Sequence, residues 1–92
     1  MADWEFAILT CINDLGKEVM LQQIYRRIGN YITLTEDHLK GTVHGGRPAY
    51  HHTVRNYLSN LCEKRYLQRL DRGIYSITES GRKFITIEDL DS

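Results

Sequence analysis

Apolar side chains recur every three or four residues in three parts of the chain, and this spacing predicts three amphipathic helices. The first helix begins after Asp3, a favourable N-cap residue, and ends before Gly16. The stripes of the three helices are, in order, Trp4, Ile8, Cys11, Ile12 and Leu15; Leu21, Ile24, Tyr25 and Ile28; and Val54, Tyr57, Leu58, Leu61 and Cys62.

Short segments with other patterns separate these helices. Residues 17–20 form an extended link between the first and second helices. Thr35 can cap a turn or two of helix that runs through Lys40. Gly45 and Gly46 then mark a loop, and Pro48 suits the first turn of the third helix because its missing N–H has no partner there.

The pattern changes after the third helix. Two runs rich in apolar and aromatic residues, 66–70 and 74–77, flank Asp71-Arg72-Gly73, which predicts a β-hairpin with a tight turn. Thr78 can cap a final short helix from Glu79 to about Ile85. The predicted class is mainly α with a small β-hairpin (α+β), with a domain over 1–86 and an acidic tail over 87–92.

The charge is distributed unevenly along the 92 residues, although the formal net charge is zero. Residues 47–72 hold six basic and two acidic side chains, a local charge of +4, and each flanking part carries −2. Nucleic-acid binding depends on the local field, so overall neutrality does not exclude it. The length predicts one domain.

The composition indicates the cellular compartment in which we expect the protein. No apolar run approaches the ~20 residues of a membrane helix, and the acidic start does not resemble a signal peptide. Cys11 and Cys62 lie on apolar helix faces, as expected for reduced thiols. We therefore expect no membrane association and a cytoplasmic protein, prokaryotic or virus-encoded and nucleoid-associated.

The order helix, short strand, helix, helix, strand, strand, helix resembles a winged helix-turn-helix. The resemblance is most specific in GRPAYHHTVRNYL (46–58) and RGIYSITESGRKF (72–84). The second string is similar to the wing and closing helix of many prokaryotic winged-helix regulators. The loop before Arg47 and Pro48 is similar to the N-terminal DNA-binding domain of Mrr-type restriction proteins. The chain departs from those proteins in two ways: these residues hold no nuclease domain, and Arg65 stands where glycine is common.

In a winged helix the third helix enters the major groove and the wing touches the backbone or the minor groove. Asn56 and Arg55 carry groups that can read adenine and guanine with paired hydrogen bonds. Arg72, next to Gly73, is placed to anchor the wing, while Arg69 can instead pack its stem along the sheet. The candidate DNA-binding residues are Arg47, Tyr50, His51, His52, Thr53, Arg55, Asn56, Ser59, Arg69 and Arg72.

The predicted function is sequence-preferring binding of double-stranded DNA, as a small transcriptional regulator. The alternative is a protein-binding winged helix, either an adaptor or a phage inhibitor of a host complex. Apolar residues outside the main stripes also suggest a homodimer whose two reading heads contact successive half-sites. The candidate dimer interface is Phe6, Leu9, Phe84 and Ile87.

Catalytic and metal chemistry are poorly supported. The histidines and cysteines match no zinc-binding spacing. We find no catalytic arrangement of nucleophile and base, and no glycine-rich phosphate loop after a strand. We therefore expect a protein that is not an enzyme, with no cofactor, no metal and no evident small-molecule substrate.

Overall fold

The computed structural model describes residues 4–39 and 48–91. The element order confirms the predicted fold class, with one 3-10 turn (Ile28–Asn30) after the second helix. The elements are α1 (Trp4–Leu15), β1 (Val19–Met20), α2 (Leu21–Arg27), α3 (Glu36–Leu39), α4 (Ala49–Glu63), β2 (Leu67–Asp71), β3 (Ile74–Ile77) and α5 (Glu79–Asp91).

The three strands form one antiparallel sheet in the order β1-β3-β2. The short link after α1 supplies β1, in which Val19 pairs with Tyr75. In the hairpin, Leu67 pairs with Ile77 and Arg69 pairs with Tyr75. Gly73 turns the chain at a φ of 74°, a conformation that glycine adopts without a steric penalty. The wing is therefore a hairpin whose second strand is held on both sides.

The hydrophobic core lies between the helices and one face of the sheet. The inward stripe of α4 contributes Val54, Leu58 and Leu61, all essentially inaccessible to solvent. α1 packs on α4 and on α5, which explains why it is apolar on two sides. Leu9 is completely buried in this core. The expectation that Leu9 lies at a dimer interface is therefore corrected: its partners belong to its own chain.

α5 continues to Asp91, well beyond the expected end near Ile85. Phe84 and Ile85 pack against the core and hold the middle of the helix in place. Once a helix is nucleated, each added residue gains a hydrogen bond at little further entropic cost. The acidic composition of 87–91 therefore does not end the helix.

The turn after α4 has the geometry of a Schellman motif. The Tyr66 N–H donates to the Leu61 carbonyl at 3.0 Å, and the Arg65 N–H donates to the Cys62 carbonyl at 3.1 Å. Arg65 has a φ of 64°, the left-handed conformation for which glycine is usual. The substitution of arginine for the expected glycine is thus located at the one non-glycine residue with positive φ in the described chain.

The first turn of α5 closes against this turn. The Thr78 hydroxyl lies 2.6 Å from the Arg65 carbonyl oxygen and accepts a hydrogen bond from the Gly81 N–H at 3.1 Å. The Thr78 N–H donates to the Tyr66 carbonyl at 3.0 Å. Thr78 is therefore both the predicted cap of α5 and the bridge between α5 and the end of α4.

Replacing Gly81 with alanine should destabilise the fold. A Cβ atom there would collide with the backbone carbonyl oxygen of Tyr66 and would lie 2.8 Å from Ile77 Cγ1. The backbone can relieve this overlap only by separating α5 from the α4–β2 turn. We expect Gly81→Ala to lower the free energy of unfolding by about 2–3 kcal/mol, measured by urea denaturation.

Gly29→Ala is the matched control. A Cβ atom at Gly29 would make only an ordinary contact, 3.5 Å from Leu34 Cδ1, and the backbone there is not left-handed. This variant should be neutral or slightly stabilising, because alanine reduces the entropy of the unfolded chain. Equal effects at the two glycines would contradict the close approach described for Gly81.

Arg65→Gly should stabilise the fold by about 1 kcal/mol, because glycine adopts the left-handed conformation without strain. Asn60→Gly, at an exposed α-helical position in the same helix, should instead cost about 0.5 kcal/mol. Thermal or urea denaturation shows whether each variant gains or loses stability. A loss of stability in Arg65→Gly would show that the arginine side chain makes contacts worth more than the backbone strain.

Candidate nucleic-acid interface

The outer face of α4 is polar and open to solvent. His52, Arg55, Asn56 and Ser59 are all exposed, on the side opposite the buried stripe. Because Val54, Leu58 and Leu61 hold the inner side in the core, this face has a fixed orientation. Four of the predicted site residues are thereby brought together on one helix surface.

His52 and Asn56, one turn apart, are joined by a hydrogen bond. The Asn56 Nδ2 atom lies 3.3 Å from His52 Nε2, so the amide donates when the ring nitrogen is unprotonated. Asn56 keeps its carbonyl oxygen and a second amide hydrogen, which are the two groups that an asparagine–adenine pair requires. The contact with His52 therefore orients the Asn56 amide without using up its reading groups.

The beginning of α4 is anchored to α2 by aromatic packing. The His51 ring stacks on the Tyr25 ring with centroids 3.7 Å apart and planes 1° from parallel. The Tyr50 hydroxyl donates to the Tyr25 backbone carbonyl at 3.1 Å. Tyr50, His51 and Thr53 are only partly exposed, so these three predicted site residues lie at the base of the reading face.

Two further predicted residues, Arg69 and Arg72, lie on the hairpin. Arg72 is exposed in the turn, where its backbone N–H donates to the Asp71 carboxylate at 2.7 Å. Arg69 pairs with Tyr75 two residues from the buried Leu67–Ile77 pair. Alternate residues of a strand share a face, so Arg69 lies on the side of the hairpin that faces the helices. Both arginine side chains are exposed to solvent.

A cavity of about 360 Å³ lies between α4 and the hairpin. Arg55 and Ser59 line it from α4, and Arg69 and Tyr75 line it from the strands, with Cys62 and Glu63 completing the wall. An adjoining cavity of about 380 Å³ shares Cys62 and Arg69 and extends past Arg65, Leu67, Gln68 and Thr78. Together the two cavities form one groove along the junction of α4 and β2.

The two cysteines are free thiols with different surroundings. Cys11 is buried in the core, and burial, helped by the charge of Asp14, raises its pKa to about 11. Cys62 is half-buried in the groove; burial raises its pKa, and the positive charge of Arg69 partly opposes this. Both thiols are therefore protonated at neutral pH and are poor nucleophiles.

The +4 stretch is divided among several roles. The Lys64 ammonium forms an ion pair with the Glu5 carboxylate at 2.8 Å, which ties the end of α4 to the first turn of α1. Arg65 occupies the strained turn, and Arg55 and Arg69 line the groove. Arg47, predicted to bind DNA at the start of α4, lies outside the described residues.

Sequence reasoning did not select Tyr75 for the site. The alternation of side chains along the second predicted strand could have indicated its position, because Tyr75 lies on the same strand face as the apolar Ile77. The pairing of Tyr75 with Arg69 depends on a register shift between Arg69 and Asp71. An irregular turn of this kind is not specified by alternation alone.

The side chains that the structure describes, those of residues 4–36, 39 and 48–87, include no group of three or more histidine, cysteine or acidic residues arranged to hold a metal ion. Within the described part of the chain, no helix has the length and apolar character needed to span a membrane.

The helix order, the three-stranded sheet and the exposed polar face of α4 define a winged helix-turn-helix domain. The family model of the Mrr N-terminal domain matches residues 3–86, and the chain therefore belongs to that family. No curated protein and no solved structure matches the chain. Family membership connects the domain with a DNA-related role in restriction-type proteins, in which the N-terminal domain is typically non-catalytic.

Proposed function

We propose that this domain binds double-stranded DNA with sequence preference, as a small transcriptional regulator or as a targeting module. The observation that supports this most directly is the single exposed face of α4 that carries His52, Arg55, Asn56 and Ser59. A protein-binding helix would be expected to present an apolar or acidic face at this position. The outer face of α4 is instead polar and basic, which suits contacts with base edges and phosphates.

In the proposed complex α4 lies in the major groove, with His52 and Asn56 facing base edges. Arg72 at the hairpin tip contacts the backbone or the minor groove beside it. Basic side chains supply most of the affinity by releasing counterions from the duplex. The core packing of α4 keeps the reading face rigid, so little ordering entropy is lost on binding.

Selection from a random duplex library tests this proposal, followed by titration of the enriched sequence at several salt concentrations. Enrichment of a consistent site, with affinity falling as salt rises, is the expected result. If no sequence is enriched and binding has no salt dependence, the DNA-binding proposal is wrong and protein binding becomes the better explanation.

Asn56→Ala and Arg72→Ala should affect binding differently. Asn56→Ala should lose about 1–3 kcal/mol of discrimination at one base pair and retain most of its non-specific affinity. Arg72→Ala should weaken binding to all sequences and reduce the salt slope by about one. Fluorescence anisotropy with the selected duplex and a scrambled duplex separates the two effects. Equal losses on both duplexes for both variants would refute this division of roles.

Protein contact is favoured by a separate observation, the exposure of one large apolar side chain, Ile87, on the same helix as the partly exposed Phe84. Ile87 on α5 is 58% exposed, while Phe6 is half-buried and Phe84 stacks on Tyr66 with ring centroids 5.0 Å apart. We propose that Ile87 and Phe6, with the outer edge of Phe84, form a homodimer contact through α1 and α5. Such a dimer would present two α4 faces to successive half-sites.

The dimer proposal predicts that Ile87→Ser shifts the sedimentation behaviour at micromolar concentration from dimer to monomer. Because Ile87 is exposed, its replacement by serine should leave the stability of the monomer nearly unchanged. Leu70→Ser, which removes an exposed apolar side chain (43% exposed) from the hairpin, is the control and should remain dimeric. A wild-type protein that sediments as a monomer would refute the proposed contact.

A further inference from the structure

We propose that the groove between α4 and the hairpin is a phosphate-binding site, occupied in the DNA complex by one backbone phosphate. The inference rests on the proposed function and adds to it a specific anchoring point. It assigns Arg55 to the backbone, where the sequence alone had suggested base reading. It also adds Tyr75 to the binding residues.

The first support is the composition of the cavity wall. Arg55 and Ser59 come from consecutive turns of α4, and Arg69 and Tyr75 are a cross-strand pair of the hairpin. Two arginines and two hydroxyl-bearing residues therefore line one concave space. Guanidinium groups bind phosphate oxygens through paired, charge-assisted hydrogen bonds, and hydroxyl groups can add single ones.

The second support is that the two arginines lack anionic partners within the described chain. Neither Arg55 nor Arg69 forms an ion pair there, although Glu63 borders the same cavity. Lys64, the next residue, is by contrast paired with Glu5. The groove thus keeps a positive charge available, and Arg69 is close enough to the Cys62 thiol to affect its titration.

The third support is the position of the cavity relative to the reading face. Arg55 directly precedes Asn56 and Ser59 follows it by about one helical turn, so the cavity runs beside the base-facing part of α4. A duplex with its major groove over His52 and Asn56 would bring a flanking backbone towards the hairpin. The cavity is open to solvent, and its 360 Å³ leaves room for a phosphate and several waters of about 30 Å³ each.

A different role for Arg69 has to be separated from this one. β2 is an edge strand of the sheet, and a charged side chain on an edge strand discourages pairing with other chains. That role requires neither Arg55 nor the hydroxyl groups of Ser59 and Tyr75. Variants at Arg55 and Tyr75 therefore distinguish phosphate binding from protection of the edge.

The test uses Arg55→Gln, Arg69→Gln, the double variant and Tyr75→Phe, all titrated with the selected duplex. Arg82→Gln is the matched control, because it removes one exposed positive charge from α5, outside the groove. Each groove arginine variant should lose about tenfold in affinity on specific and scrambled duplexes alike, while Arg82→Gln stays close to wild type. Tyr75→Phe should lose less, since it removes a single neutral hydrogen bond.

If Arg55 and Arg69 contact the same phosphate, the effects of replacing them should not be independent. The double variant should lose much less than the product of the two single losses, because both arginines contact the same group. A neutral methylphosphonate at one backbone position should weaken wild-type binding and leave the double variant unaffected. Thermal denaturation of each variant confirms that the fold is retained.

Three results would overturn the proposal, each in a distinguishable way. Salt-dependent wild-type binding with groove variants equal to Arg82→Gln would remove the phosphate site and leave DNA binding intact. Loss confined to Arg69→Gln, together with self-association, would assign that residue to edge protection. Failure of the wild type to bind any duplex would refute DNA binding itself. In that case, amide shifts of Arg55, Arg69 and Tyr75 on titration with inorganic phosphate would identify a site for a free anion.

Discussion

The contact between the first turn of α5 and the turn after α4 determines how the rest of the domain is arranged. Thr78 bonds to backbone groups on both sides of this junction, and Gly81 allows the two segments to approach to backbone contact. The direction in which β2 leaves α4 is set at the same point. Because the groove lies between α4 and the hairpin, its width also depends on this junction.

Much of this fold follows from local sequence patterns. Helical spacing identified α1, α2 and α4, and turn residues between strand-like runs identified the hairpin. Periodicity showed that α1 has two apolar sides, but it does not say which partner covers each side. Leu9 was therefore assigned to a second copy of the chain, whereas α4 and α5 of the same chain cover that helix.

The candidate site was predictable only in part, for a related reason. The exposed residues of α4 follow directly from the helical wheel, since the opposite stripe is strongly apolar. Stacking of His51 on Tyr25, and the presence of Arg69 and Tyr75 in the wall of the cavity beside α4, all depend on contacts between distant segments. Composition identified a positive region but did not show that Lys64 is engaged by Glu5.

The central claim is that α4 and the hairpin together form the DNA-binding surface. Backbone amide NMR spectra recorded during titration with the selected duplex test it most directly, because every element reports separately. The account predicts that shifts concentrate on the exposed residues of α4, on Arg69 and Tyr75, and on the turn at Arg72. Shifts concentrated on α1 and α5, with α4 unchanged, would contradict it.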